Sequence, residues 1–140
     1  MVRYTVLLTS SCLLAILMGC TMTSVAPFTI AVPEMGFCSG WDLANNKPIG
    51  ETTTFPPGTP QIYVFARVEA DEEFYYVLDW YYIEGDHGNE HLLRQTVKPE
   101  KHYIVAWVEP PEGKVFQAGK YEVILLWGKS TLRTAEFEVR

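Results

Sequence analysis

A run of histidine and carboxylate side chains is the first candidate for chemistry in this sequence. It comprises, in chain order, Glu84, Asp86, His87, Glu90 and His91. Imidazole and carboxylate groups within reach of one another bind Zn²⁺ and other divalent ions. On a helix His87 and His91 would share a face, but Gly85 and Gly88 favour a solvated hairpin turn. We therefore expect no native metal or other cofactor, and His87, His91, Asp86 and Glu90 are only weak candidate ligands.

A second candidate is Phe74–Glu84, the most aromatic stretch of the chain. Aromatic and β-branched residues at this density favour a strand, in which neighbouring side chains point to opposite faces. We expect Trp80 to point into the core. Its parity then divides the tyrosines into an inward pair, Tyr76 with Tyr82, and an outward pair, Tyr75 with Tyr81.

The outward tyrosines flank Asp79 in the sequence. Together, Tyr75, Asp79 and Tyr81 would form a platform on which a sugar ring or a protein partner packs. The alternative is that these side chains pack against long cross-strand neighbours such as Arg94 or Lys98. We favour this alternative and keep the platform as a hypothesis.

The spacings that several common enzymes require are absent from the sequence. It contains no Gly-x-Ser-x-Gly, Gly-x-x-x-x-Gly-Lys-Ser/Thr, His-Glu-x-x-His or Cys-x-x-Cys. A thiol–imidazole pair of Cys38 with His91 or His102 would be active only if the fold brought the groups together. We expect Cys38 to be a small hydrophobe instead, and the protein to be no enzyme, with no catalytic residues.

Short alternations of apolar and polar residues fill the chain after residue 33, and seven of the nine prolines of the chain lie there. This pattern predicts an all-β fold, a single antiparallel sandwich of about seven strands. Leu132 and Phe137 are both apolar but have opposite parity, which predicts a bulge near Thr134. The predicted strands are Glu34–Trp41 at a sheet edge, Thr52–Phe55, Ile62–Val68, Phe74–Glu84, Glu90–Lys98, His102–Val108, Gly119–Trp127 and Leu132–Arg140.

The charge and the cysteine content of the chain argue against a nucleic-acid partner and against a disulfide. All 17 acidic and 10 of the 11 basic residues follow residue 19, which gives that part of the chain a net charge of −7. An acidic domain without a basic stripe repels phosphate backbones, so we expect no nucleic-acid partner. Cys38 is the only cysteine after Cys20, so we expect stability to come from packing and not from a disulfide.

The first 20 residues have the layout of a secretory signal. Arg3 precedes an apolar run from Val6 to Met18, which is shorter than the roughly 20 residues of a membrane span. The run leads into Leu17-Met18-Gly19-Cys20, which resembles the lipobox of bacterial lipoprotein precursors. That resemblance implies that a signal peptide, residues 1–19, is removed and that Cys20 is lipidated by a diacylglycerol group.

The same resemblance implies a location and a domain organisation. Residues 20–33 would be the lipidated cysteine and a tether with a weak first strand late in it, and residues 34–140 the sandwich domain. The domain would lie outside the cytoplasm, anchored by lipid to the cell membrane or the outer membrane. Thr21 is not the Asp that resembles an inner-membrane retention signal, which favours the outer membrane.

The predicted strands resemble the immunoglobulin-like or fibronectin-III-like sandwich domains of bacterial surface lipoproteins. The residues that carry this resemblance are Ile62-Tyr63-Val64, Trp80, Gly119–Val123 and Phe137–Val139. It implies that Tyr121 occupies a tyrosine corner, with a buried ring and its hydroxyl bonded to nearby backbone. The cysteine pair of antibody domains is absent, and the motifs identify an architecture and not a function.

Three functions follow as hypotheses. The first is a membrane-anchored, non-enzymatic interaction or assembly module that binds a protein partner in the cell envelope. The second is a carbohydrate-binding domain that uses the outward tyrosines together with Trp41 or Trp107. The third is a small metal-binding protein that uses His87 and His91.

Overall fold

A computed structural model describes residues 28–83 and 89–140, and these residues form nine β-strands and no helix. The all-β prediction is confirmed. None of the described residues belongs to a helix long and apolar enough to cross a membrane. The strands are β1 (Ile30–Asp42), β2 (Lys47–Glu51), β3 (Thr54–Phe55), β4 (Ile62–Ala70), β5 (Tyr76–Tyr82), β6 (Glu90–Val97), β7 (Tyr103–Val108), β8 (Gly119–Trp127) and β9 (Ser130–Val139).

The strands form the two sheets of a sandwich. The four-stranded sheet has the order β2-β1-β4-β7, and the five-stranded sheet has the order β3-β9-β8-β5-β6. Among the described strands, only β3 runs parallel to its neighbour, β9. The predicted antiparallel sandwich is confirmed. The structure has nine strands and not about seven; β3 lies within the predicted strand Thr52–Phe55, whereas β2 was not predicted.

Alternate residues of each strand fill the core between the sheets. The side chains of β4 that were predicted to point inward are all buried: Ile62, Val64, Ala66 and Val68. On β5 the inward parity is confirmed in the same way for Tyr76, Trp80 and Tyr82, with Leu78 between them. The period-2 pattern therefore assigned the core face of both strands correctly.

Phe137 on β9 joins the aromatic side chains of this core. Its ring stacks on that of Tyr121, with 4.8 Å between the ring centroids, and meets the ring of Trp80 edge-on. The ring of Phe37, from the other sheet, lies 4.8 Å from it. One side chain thus contacts rings of both sheets, and such pairs contribute beyond their buried area.

Tyr121 forms the tyrosine corner that the resemblance implied. Its ring is buried, and its hydroxyl donates a hydrogen bond of 2.7 Å to the carbonyl oxygen of Gln117. Burial, reinforced by the neighbouring Tyr82, raises the pKa of Tyr121 to about 12. The hydroxyl therefore keeps its proton, and with it this hydrogen bond, throughout the physiological pH range.

The first strand differs from its prediction. An edge strand at Glu34–Trp41 is wrong, because β1 pairs with β2 on one side and with β4 on the other. Gly36 and Gly40 interrupt the predicted strand, which is typical of an edge strand. Gly36 has a different role, because a Cβ there would lie 2.8 Å from Cζ of Phe65. Gly36 lets the Phe65 ring lie against β1. The strand starts at Ile30, inside the segment 20–33 in which a weak first strand was expected.

The predicted bulge in the last strand is confirmed. Leu125 pairs with Arg133 and Leu126 with Thr131, so that Leu132 is the extra residue of β9, two positions before Thr134. The bulge changes the parity of the strand. Leu132 and Phe137 can therefore both pack against the core.

Trp80→Ala is expected to lower the free energy of unfolding by about 3–5 kcal/mol, because it deletes a large buried side chain. Urea unfolding followed by circular dichroism measures this loss. Trp107→Ala is the matched control, since Trp107 is 48% exposed, and it should cost about 1 kcal/mol or less. Equal losses in the two variants would contradict the assignment of the faces.

Candidate functional site

Four aromatic side chains lie outside the core and surround one cleft on the outer face of the four-stranded sheet. They are Trp41, Tyr63, Tyr103 and Trp107, and the cleft, which we call the outer cleft, has a volume of about 390 Å³. Its polar lining comes from Asn46, Lys98, Glu100 and Lys101. Sites for small ligands combine a volume of roughly 300–1,000 Å³ with apolar walls and a few polar groups.

The pairing of β4 with β7 places three of these aromatic residues on one face. Opposite each other lie Tyr63 and Trp107, Phe65 and Val105, and Arg67 and Tyr103. They alternate with the buried residues of the same strands, so the strand geometry points them away from the core. The rings of Tyr63 and Trp107 are 5.6 Å apart and tilted by 33°, and together they form a continuous aromatic surface.

The fourth aromatic residue comes from the hairpin of β1 and β2, which curls across the outer face. The ring of Trp41 lies 5.7 Å from that of Phe65 and 5.3 Å from that of Tyr103. This cover explains why Phe65 is buried although it has the outward parity. Near the tip, Asn46 Nδ2 donates to the carbonyl oxygen of Lys101 at 3.3 Å. The hairpin thus forms one wall of the outer cleft, and β7 forms the opposite wall.

A tight turn at Lys101 and His102 borders the cleft. Glu100 and Tyr103 exchange two backbone hydrogen bonds across it, of 2.8 and 3.0 Å, and both turn residues have positive φ, 49° and 70°. This is the geometry of a type I′ turn, which Asn and Gly prefer. Other residues in it cost roughly 1–2 kcal/mol each. The turn holds Glu100 and Lys101 beside the ring of Tyr103.

Hydrogen bonds fix the tyrosine rings of the cleft. The Tyr63 hydroxyl donates to Gln61 Oε1 at 2.9 Å, and Gln61 Nε2 donates to Glu109 Oε1 at 2.6 Å. The Tyr103 hydroxyl donates to Glu34 Oε2 at 3.3 Å, and burial together with the negative charge of Glu34 raises the pKa of Tyr103. A ring that is already fixed loses little conformational freedom when a ligand binds.

The charges around the outer cleft balance one another. Lys98 Nζ lies 2.6 Å from Glu73 Oε2, so this lysine is neutralised by its ion pair. Lys101 follows Glu100 in the chain, and both line the cleft. The cleft therefore carries no strong net charge and suits an uncharged ligand better than a phosphate or a polyanion.

The residues predicted as a ligand platform, Tyr75, Asp79 and Tyr81, occupy three different environments. Asp79 is 3% exposed, so its carboxylate is not part of a solvent-facing platform, and the favoured alternative of packing against a cross-strand neighbour such as Arg94 describes it. Its oxygens accept hydrogen bonds of 2.8 and 2.6 Å from Arg94, and one lies 3.0 Å from His91 Nε2. The ring of Tyr81 packs against His91, whereas Tyr75 is 69% exposed. The carboxylate of Asp79 thus binds the cross-strand neighbours Arg94 and His91, which cover it.

The predicted metal ligands fall partly outside the described residues, where Asp86 and His87 lie. Glu90 is exposed on β6, and His91 contacts Asp79. Among residues 28–83 and 89–140, no three His, Cys, Asp or Glu side chains are grouped so that they could hold a metal ion. The expectation of no native metal stays a prediction, and a metal site at His87 and His91 stays its weak alternative. Cys20, the predicted lipidation site, also lies outside the described residues.

Cys38 is buried on β1 and lies opposite Tyr63 of β4. His102 is not its neighbour, since the carbonyl oxygen of His102 accepts a hydrogen bond from Val68, five residues further along β4. His91 belongs to the other sheet. Burial raises the pKa of the Cys38 thiol, and a protonated thiol is a poor nucleophile. These features are typical of a small hydrophobe in a sheet.

The outer cleft was only partly visible in the sequence. Trp41 and Trp107 were named as additions to another surface, and Tyr63 and Tyr103 were missed. A signal was present, because Tyr63, Tyr103 and Trp107 all have the outward parity of their strands. The pairing of β4 with β7, which brings these residues together, joins segments some 40 positions apart and has no local signature.

Comparison with known proteins identifies the class of fold. No protein-family model matches the chain, and no curated protein matches its sequence. Its structure is similar to that of an immunoglobulin-like protein from Pseudomonas aeruginosa, with a TM-score of 0.55 and 15% identity over 80% of this chain and 97% of that chain. The described part of the chain is therefore an immunoglobulin-like β-sandwich.

Two further similar structures belong to larger chains. One is an alkylpurine DNA glycosylase from Pseudomonas fluorescens, with a TM-score of 0.47 and 15% identity over 79% of this chain and 30% of that chain. The other is a beta-glucosidase from Bifidobacterium adolescentis, with a TM-score of 0.42 and 13% identity over 81% of this chain and 17% of that chain. At this level of similarity neither structure bears on the function of this chain.

Arg94→Met is expected to lower the free energy of unfolding by about 1–3 kcal/mol, because the buried carboxylate of Asp79 loses its main partner. The hydrogen bond from Arg94 is the largest cause of the lowered pKa of Asp79. A carboxyl group with a lowered folded-state pKa stabilises the fold above its ordinary pKa, near 4, and this contribution is lost as the pH falls through the lower value. The difference between wild type and variant should therefore shrink in acid.

Urea unfolding of both proteins between pH 7 and pH 3 measures this difference. Lys98→Met is the control, because it breaks an ion pair with Glu73, whose side chain is 80% exposed, and such a pair contributes about 0–1 kcal/mol. The same loss for both substitutions, or a loss for Arg94→Met that does not change with pH, would contradict the role assigned to Asp79.

Proposed function

We propose that this protein is a lipid-anchored, non-enzymatic interaction module of the bacterial cell envelope, and that it binds another envelope component, a protein or a glycan, through the outer cleft. The observation that carries the proposal is the cleft itself, in which four aromatic side chains are kept out of the core and surround a small cavity. Exposed, well-supported tryptophan and tyrosine side chains are the residues that most often contribute binding energy. An immunoglobulin-like sandwich fits such a role.

The lipid anchor is proposed from Leu17-Met18-Gly19-Cys20. The first described strand, β1, starts at Ile30, ten residues after Cys20. Ten residues span at most roughly 35 Å, at about 3.5 Å per residue. A domain held on this length of chain stays close to the cell membrane or the outer membrane, outside the cytoplasm, while two acyl chains keep it there.

The absence of an enzymatic activity is proposed from the use that the fold makes of its reactive groups. The carboxylate of Asp79 is held by Arg94 and His91, and the thiol of Cys38 is buried. The hydroxyl of Tyr121 is bonded to the backbone at Gln117. Each of these groups is either buried or bonded to a neighbour within the fold, so none is available to react with a substrate. This favours a binding module over a catalyst.

Cys20→Ala is expected to abolish the incorporation of labelled fatty acid and to release the protein from the membrane fraction or trap its precursor. Metabolic labelling with palmitate and membrane fractionation measure both effects. Cys12→Ala is the matched control, because this cysteine lies in the predicted leader, and the label should be retained. Retention of label and membrane association in Cys20→Ala would show that the lipid anchor is wrong.

A further inference from the structure

We infer that the outer cleft binds a neutral saccharide chain, with Trp41 and Trp107 packing against sugar rings. This inference rests on the proposed function and names the ligand class of the same surface. A pyranose ring presents C–H groups on its faces and hydroxyl groups around its edge. It therefore needs an aromatic surface with hydrogen-bonding groups beside it, and the outer cleft has both.

The size of the outer cleft suits a small ligand. Its volume of about 390 Å³ lies in the range of roughly 300–1,000 Å³ that is typical of small-ligand sites. Four aromatic side chains around this volume fit one or two sugar rings. Two of these side chains lie on opposite walls of the cleft, because Trp41 belongs to the hairpin and Trp107 to β7.

Contacts within the protein hold the aromatic surface in place. Tyr63 lies against the ring of Trp107, and a chain of hydrogen bonds through Gln61 and Glu109 holds Tyr63. On the backbone side, the carbonyl oxygen of Trp107 accepts a hydrogen bond of 3.1 Å from Gln95 Nε2. Saccharides bind weakly because their hydroxyl groups must leave water, and a preformed site reduces the remaining entropic cost.

The polar lining matches hydroxyl groups, which both donate and accept hydrogen bonds. Asn46 brings an amide, Glu100 a carboxylate and Lys101 an ammonium group to the cleft. The ion pair of Lys98 with Glu73 and the acidic chain as a whole disfavour an acidic polysaccharide.

The flat, exposed ring of Trp107 favours sugars with equatorial substituents. A β-1,4-linked chain of such sugars exposes C–H groups on both faces of each ring and is extended like a ribbon. Either wall of the outer cleft can then pack against a ring. The trimer of β-1,4-linked N-acetylglucosamine is a neutral probe with this shape, and its acetamido groups add hydrogen-bonding partners for the polar lining.

Isothermal titration calorimetry of the full-length protein in detergent micelles with this trimer tests the inference. Wild type is expected to bind it, and Trp107→Ala to weaken binding at least tenfold while the melting temperature stays close to that of wild type. Tyr75→Ala is the matched control, because Tyr75 is the more exposed aromatic residue and lies outside the cleft; its affinity should equal that of wild type.

Absence of binding to wild type, or equal affinity in Trp107→Ala, would overturn the inference. So would a proline-rich peptide that binds in place of the trimer and is lost in Trp107→Ala, because the cleft would then belong to a protein partner. Detergent micelles make the result independent of the anchor. If the wild type carries the fatty-acid label on Cys20 but does not bind the trimer, only the saccharide inference is wrong. If it binds the trimer but carries no label, only the proposed lipid anchor is wrong.

Discussion

The stacking of Phe137 on Tyr121, with 4.8 Å between the ring centroids and 7° between the ring planes, is the contact on which the sandwich depends. Phe137 also contacts Phe37 of the opposite sheet, so the same ring sets how the two sheets pack. The hydroxyl of Tyr121 ties this pair to the backbone at Gln117. The cysteine pair that brackets the core of antibody domains is absent here, and packing of large aromatic side chains, each contributing several kcal/mol, takes its place.

Because the inner faces of the sheets supply this core, the outer face of the four-stranded sheet can present aromatic residues to solvent. The division is visible on β4, where Val64 is buried between the sheets while Tyr63 points outward to Trp107. Phe65 has the same outward parity as Tyr63, yet Trp41 covers it. The contacts of Trp41 with Phe65 and Tyr103 hold the end of the β1–β2 hairpin over the sheet, where it forms one wall of the cleft. The outer cleft is the gap that remains between this hairpin and β7.

The sequence predicted the parts of the fold that depend on neighbouring residues. Alternation assigned the inward faces of β4 and β5, and the resemblance to immunoglobulin-like domains implied the tyrosine corner at Tyr121. The edge position of β1 was wrong because β2, a short strand that was not predicted, pairs with the side of β1 that faces away from β4. The outer cleft was not predicted for a similar reason, because Trp41, Tyr63 and Trp107 come together only after distant strands have paired. Asp79 was placed on the right strand face, but its cover by Arg94 and His91 depends on the register of β6.

The four tryptophans of the chain occupy different environments, which allows a direct measurement of the central claim that the outer cleft is the binding surface. Trp41 and Trp107 line the cleft, Trp80 is buried in the core, and Trp127 packs against Phe74 away from the cleft. Nuclear magnetic resonance of the indole N–H groups during titration with the N-acetylglucosamine trimer follows each one separately. We expect the resonances of Trp41 and Trp107 to shift and those of Trp80 and Trp127 to stay in place. Shifts confined to Trp127, or no shift at Trp107, would contradict the account.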